Sequence, residues 1–181
     1  MRLQLGSLAA GLLLLLSGCG MMGGTAGGIG VHFSPSQLGF EVDTDGTIVV
    51  ATTQVTFSNS AGSRAARIIG YEITYVQLAG TPIPGIENVI FNDGMLDIEV
   101  PAGYECVDDE TIVCGPLERR PADSTSEPTN LVTLPGGVAV AMLDSGHSVV
   151  RADITFHARR DSASFTIPGQ VTVTYPVAVE D

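Results

Sequence analysis

Three cysteines, three histidines and a few clustered carboxylates are the residues of this chain whose types suit chemistry. Cys106 and Cys114 bracket the stretch CVDDETIVC, where turn-forming Asp108, Asp109 and Glu110 precede strand-forming Thr111, Ile112 and Val113. That order brings the two sulfurs together across a hairpin and predicts a disulfide. A redox pair or a zinc site is the alternative, but the spacing matches neither C-x-x-C nor zinc ligands, and no histidine adjoins. His147 and His157, if carried on one straight strand at about 3.3 Å per residue, lie too far apart to share a metal. His32 stands apart from both, and all three are expected as surface residues. Asp43 and Asp45 in DTDG, with Asp108, Asp109 and Glu110, are weak calcium candidates. An EF-hand needs further ligands and a closing Glu, which Ile48 to Ala51 deny, so Asp45-Gly46 is expected as a hairpin turn. Ser145 in LDSGHS lies close to Asp144 and His147, the residue types of a hydrolase triad. Triads draw their members from separate loops, so this stretch reads as a turn between two strands. No Gly-x-Ser-x-Gly elbow, Walker loop or His-Glu-x-x-His occurs. No catalytic site, metal or cofactor is expected.

The remaining cysteine, Cys19, follows an apolar run from Leu5 to Leu16 that begins just after Arg2. A short positive start, an apolar run and small residues mark an export signal. The run is too short for a stable span, which needs about 20 residues. Leu16-Ser17-Gly18-Cys19 resembles the lipobox of bacterial lipoproteins. The resemblance implies cleavage after residue 18, a diacylglycerol on the Cys19 sulfur and usually an acylated new amino terminus. Several acyl chains, at about 0.8 kcal/mol per buried methylene, make a stable anchor. Gly20 stands where an aspartate tends to retain such proteins in the inner membrane. The implied address is therefore the outer membrane if the organism has one, and otherwise the outer face of the cell membrane. The uncharged, glycine-rich stretch that follows reads as a flexible tether, giving residues 1–18 as signal, 19–30 as lipidated cysteine and tether, and 31–181 as one folded domain.

Composition limits the partners. The chain carries 20 acidic against 8 basic residues, has no lysine, and has a net charge of −12. Removing residues 1–18 takes Arg2 away and makes the balance more acidic still. Such a charge disfavours nucleic acid and anionic head groups, both polyanions. An exported compartment permits the Cys106–Cys114 bridge. Without tryptophan, a stacked carbohydrate platform is weakened, although tyrosine contacts stay open.

The elements that must position these residues are strands. Val49, Ala51, Val55 and Phe57 alternate with Thr52, Gln54 and Thr56 along one long strand. Ile69, Tyr71, Ile73 and Tyr75 oppose Glu72 and Thr74, and Leu96, Ile98 and Val100 oppose Asp97 and Glu99. Val150, Ala152, Ile154 and Phe156 oppose Arg151, Asp153, Thr155 and His157. Val171, Val173 and Tyr175 oppose Thr172 and Thr174. One-sided alternation with short turns predicts an all-β fold of antiparallel sheets packed face to face, with about seven to nine strands and no convincing helix. The stretch from Gly115 to Gly136, rich in Pro, Ser, Thr and charge, is long for a sandwich connection. It reads as a mobile loop or a feature with a role of its own.

VTFSNSAGSRAARIIGYEITYVQLAGTPIPG resembles the central strand pair of fibronectin type III and related immunoglobulin-like domains. Phe57 stands where that family usually carries Trp, and Tyr71 and Tyr75 match its strand tyrosines. Tyr104-Glu105-Cys106 is similar to the Tyr-x-Cys of immunoglobulin domains, with Tyr104 in the place of a corner tyrosine. No upstream structural cysteine exists for an inter-sheet bridge, so the resemblance implies the immunoglobulin-like β-sandwich architecture and not a particular family. The expectation is a non-catalytic sandwich held to the membrane by the lipid on Cys19. Its work would be structural, or the binding of an envelope protein or cell-wall polymer, and it would not bind nucleic acid. A calcium- or small-ligand-binding accessory lipoprotein is the alternative, and a hydrolase is a third class.

Overall fold

A computed structural model describes residues 27–42, 46–50, 52–78, 83, 89–91, 96–107 and 114–175. In chain order the strands are β1 (Ile29–Ser34), β2 (Gln37–Val42), β3 (Ile48–Val50), β4 (Thr53–Asn59), β5 (Ala66–Val76), β6 (Val89–Phe91), β7 (Ile98–Val100), β8 (Tyr104–Cys106), β9 (Arg119–Pro121), β10 (Ser124–Thr125), β11 (Thr129–Leu131), β12 (Val149–Arg160) and β13 (Ala163–Thr174). One helix, α1 (Gly136–Ser145), and a single 3-10 turn (Pro116–Glu118) complete the described elements.

Two sheets enclose one core. In the first, β4 lies between β1 on one side and β10 and β11 on the other. The second runs β3-β2-β13-β12-β5-β6, with β7 also paired to β5. The strand count exceeds expectation because the long partners of β4 and β5 are interrupted, β10 and β11 continuing one line and β6 and β7 another. The sheets are antiparallel with one exception, a correction to the expected pattern. β2 lies parallel to β13, with Leu38 opposite Val173. The reason is the path of the chain: β1 sits at the edge of the first sheet, and the chain passes through Ser34, Pro35 and Ser36 to the second sheet. Thr53 Oγ1, fully buried, donates to the Pro35 carbonyl at 2.6 Å and holds that crossing.

The core draws on both sheets. Val31, Val55, Phe57 and Leu131 come from the first, and Ile73, Ile154, Phe156, Val171 and Val173 from the second. The Phe156 ring is fully buried, 4.9 Å and edge-on from Phe57, and 6.0 Å from Tyr71. Burial of one such side chain contributes roughly 1.5–3 kcal/mol. Phe33 reaches across from β1 to β13, where a Cβ on Gly169 would come within 2.8 Å of its ring. Only glycine permits that approach.

Three expectations are corrected by the packing. Val49 does not share a face with Val55 and Phe57: it is 56% exposed, whereas they are fully buried. The chain leaves β3 at Val50 and joins the other sheet at Thr53, so alternation does not carry through. In β5 the phase shifts. Ile68 pairs with Ala158 and Gly70 with His157, which leaves Ile69 as the extra residue of a β-bulge. Ile68 and Tyr71 are therefore both buried, and Ile69 turns outward. The third correction is α1 itself. Val138, Ala139 and Met142 form its buried stripe at helical spacing. The helix ends where Gly146 adopts φ 69°, its N–H and that of His147 capping the carbonyls of Leu143 and Met142.

Candidate functional site

The most elaborated part of the molecule is the end where β1 begins. Register places Gly27 and Gly28, the β4–β5 turn, the β12–β13 hairpin and the segment before β8 together there. Asn59, 1% exposed, is its hub. Its Nδ2 donates to the carbonyls of Arg64 (2.9 Å) and Pro101 (2.8 Å), and its Oδ1 accepts from Arg160 Nη2 at 3.2 Å. Arg160 also donates to the Gly27 carbonyl at 2.6 Å and lies 5.5 Å from the centre of the Phe165 ring. The Gly28 carbonyl accepts from both the backbone N–H and the hydroxyl of Ser60, each at 2.9 Å. These bonds fix the first described residues to the sandwich. Gly27 to Gly30, expected as the end of a tether, are thus bonded into the sandwich, and Ile29 is fully buried.

From this end rises a ribbon made of β8 and β9. Cys106 and Cys114 are joined in a disulfide with their Cα atoms 5.6 Å apart, as expected. Glu105 pairs with Arg120 at 2.6 Å across the strands. Val107 N–H donates to the Glu118 carbonyl, and Arg119 donates through Nε and Nη2 to the Cys114 carbonyl. At the base, Gly62 N–H donates to the Gly103 carbonyl at 2.7 Å, and Tyr104 Oη donates to the Gly62 carbonyl at 2.7 Å. Tyr104 thus bonds to a distant turn rather than a few residues upstream, as a tyrosine corner would. The expected loop from Gly115 to Gly136 is instead largely structured, holding the 3-10 turn, β9, β10 and β11. Its sequence hid this because each piece is only two or three residues long.

The other sequence candidates either fall outside the described residues or lie apart. Cys19, Asp43, Asp45, Asp108, Asp109 and Glu110 lie outside the described residues. His32 is exposed on β1, with Nε2 3.1 Å from Ser58 Oγ. His157 lies on β12, whereas His147 precedes that strand, so the two share no strand. Among the described residues, no group of three or more His, Cys, Asp or Glu could hold a metal. LDSGHS is the end of α1 and its cap, not a turn between strands. Ser145 Oγ donates to the Ala141 carbonyl at 2.6 Å, which commits the hydroxyl to the helix backbone.

Two shallow concavities open on the outer face of the second sheet. One, of about 440 Å³, is lined by Ile69, His157, Arg159, Ser164, Phe165 and Thr166. The other, of about 310 Å³, is lined by Ala65, Ala66, Arg67, Glu99, Arg159 and Asp161. The first was not legible in the sequence because alternation assigns Ile69 to the core face, whereas as the extra residue of the bulge it lines this concavity. The paired isoleucines before Gly70 were the available signal. Further along this face Arg151 grips Asp153 through two bonds of 2.7 and 2.8 Å, and Gln170 adds a third at 2.9 Å. Burial pushes the Asp153 carboxyl up, but the Arg151 and Gln170 hydrogen bonds and the Arg151 charge outweigh it and hold the group below the ordinary aspartate value.

No family model matches the chain, and no curated protein matches it. The class is therefore defined by the described residues: mostly β, with two sheets around one core, one short helix and a ribbon closed by a local disulfide. Among the described residues, no helix is long and apolar enough to cross a membrane.

Proposed function

We propose that this protein is a lipid-anchored component of a bacterial envelope, whose immunoglobulin-like sandwich serves as a non-catalytic structural or binding module. The observation that carries the reading is the cysteine pairing. Cys106 and Cys114 are bonded to each other, so Cys19, in Leu-Ser-Gly-Cys, is left as the odd thiol. A disulfide favours an oxidising compartment outside the cytosol, where a lipobox would deliver the chain. The division of the first edge between sheets, β1 in one and β2 in the other, supports an immunoglobulin-like arrangement over two unrelated sheets. Ser145 donates its hydroxyl to the Ala141 carbonyl within α1, which speaks against that serine as a nucleophile. The anchor places the sandwich at the outer membrane, or at the outer face of the cell membrane where there is only one. Its partner is an envelope protein or a cell-wall polymer.

The test is fatty-acid labelling in cells with Cys19→Ser alongside the native chain. The native protein takes label and stays with the membrane, and the variant loses both. A variant that still carries label and still sediments with membrane contradicts the reading.

A further inference from the structure

We propose that the β8–β9 ribbon rests on the bilayer that carries the anchor, with Leu117 and Val107 entering the interfacial zone of a zwitterionic lipid surface. The inference rests on the reading of Cys19 as the lipidated residue and adds to it a second, non-covalent contact. Two independent observations converge on it. The first is exposure. Leu117 is 99% exposed, Val107 59% and Tyr104 41%, and all three belong to this one ribbon. Single exposed apolar residues are ordinary, but several on one protruding element mark a contact surface. Tyrosine beside aliphatic residues is also the composition favoured where water meets lipid.

The second observation is where the chain arrives. Gly27 follows Cys19 by eight residues, so covalent geometry alone keeps it within about 28 Å of the anchored residue. Gly28 is bonded to Ser60, and the same turn, through Gly62, is bonded to Gly103 and Tyr104 at the foot of the ribbon. The ribbon therefore leaves the sandwich at the end held closest to the membrane. The opposite end, with α1 and β3, is separated from it by the length of β12, roughly 40 Å. Charge chooses the kind of surface. From Tyr104 to Pro121 the carboxylates Glu105, Asp108, Asp109, Glu110 and Glu118 outnumber Arg119 and Arg120, so the ribbon shares the acidity of the chain and disfavours an anionic surface. Asp108, Asp109 and Glu110 lie between β8 and Cys114, outside the described residues, and would be repelled by anionic lipid. A neutral head group fits best. Arg119 and Arg120 can lay their methylene stems along such a surface while their guanidinium groups stay in water.

The chain contains no tryptophan, so a single substitution supplies a reporter. Full-length lipidated protein carrying Leu117→Trp, Val107→Trp or, as the reference at the far end, Val49→Trp would be reconstituted into phosphatidylcholine vesicles and floated. Quenching by brominated phosphatidylcholine would then be measured. The expected result is that all three float and that Trp at positions 117 and 107 is quenched several-fold more than Trp at 49. Flotation with equal, weak quenching at all three positions overturns the ribbon contact and leaves the anchor standing. Shielding of position 117 from acrylamide without lipid quenching assigns the surface to a protein contact and also overturns it. Failure of the unsubstituted protein to float overturns the anchor reading and this inference together.

Discussion

Tyr75 donates its hydroxyl hydrogen to the carbonyl oxygen of Thr133 over 2.7 Å, tying the central strand β5 to the segment that leads into α1. Tyr71, two turns of the pleat away, reaches the Val132 carbonyl at 3.4 Å. Both rings are buried. Burial pushes the Tyr71 phenol up to about 12 and the Tyr75 phenol further, the latter helped by its neighbour Tyr71.

An alkaline limit follows from these two phenols. The folded state keeps protons that the unfolded chain gives up near the ordinary tyrosine value of 10.0. Stability from this source is full below that value and is lost as pH rises from it through the folded-state values. Urea titrations across that range should show a midpoint falling steeply above the ordinary value. Tyr75→Phe should cost about 1 kcal/mol at neutral pH and make the alkaline decline shallower. An unchanged decline would show that other groups set it.

The acid limb depends in part on Asp153. Its folded-state value is depressed, so its contribution is present above the unfolded aspartate value and is lost as pH falls through the folded one. Asp153→Asn should flatten the acid limb of the same titration, modestly, because the group is partly exposed and screened. An identical acid limb in the variant would assign acid sensitivity to other carboxylates.

Gly103 and Gly137 should respond oppositely to alanine. A Cβ at Gly103 would stand 2.1 Å from the Ser60 carbonyl oxygen, so the foot of the ribbon must move. Gly103→Ala should destabilise by about 1–3 kcal/mol, the usual cost of overpacking. A Cβ at Gly137 meets nothing within 4 Å, and in the helix alanine is preferred by up to about 1 kcal/mol. Thermal melts of the two variants check the sign of each.

Replacing both Cys106 and Cys114 by serine should loosen the ribbon and leave the sandwich folded. A loop this short contributes under about 3 kcal/mol by chain entropy. The ribbon's bonds to the sandwich sit at its base, so the effect stays local. Amide exchange at Val107, whose N–H is bonded to Glu118, should become fast in the variant while Ile154 stays protected. Retained protection at Val107 would show that the strands alone hold the ribbon.

The strands whose apolar residues alternate without interruption were legible in the sequence. Val150 to Phe156 and Val171 to Val173 bury the faces that period two predicts, and the expected Cys106–Cys114 bridge is formed. What escaped were events that alternation cannot encode. The bulge at Ile69 shifts the phase by one residue, and the break after Val50 sends the chain to the other sheet. In the helix, Val138 and Val140 alternate with alanines as in a strand, and two glycines and a proline stand where a polar cap would announce it. The ribbon's role as a protruding element depended on Gly62 and Gly103 meeting across a turn, a contact between residues remote in sequence.

The central claim is the lipid on Cys19, and mass spectrometry of the amino-terminal peptide from membrane-extracted native protein tests it most directly. The expected peptide begins at Cys19 and carries a thioether-linked diacylglycerol, with residues 1–18 absent. An unmodified thiol at Cys19, or a mature chain that begins at another residue, would contradict it.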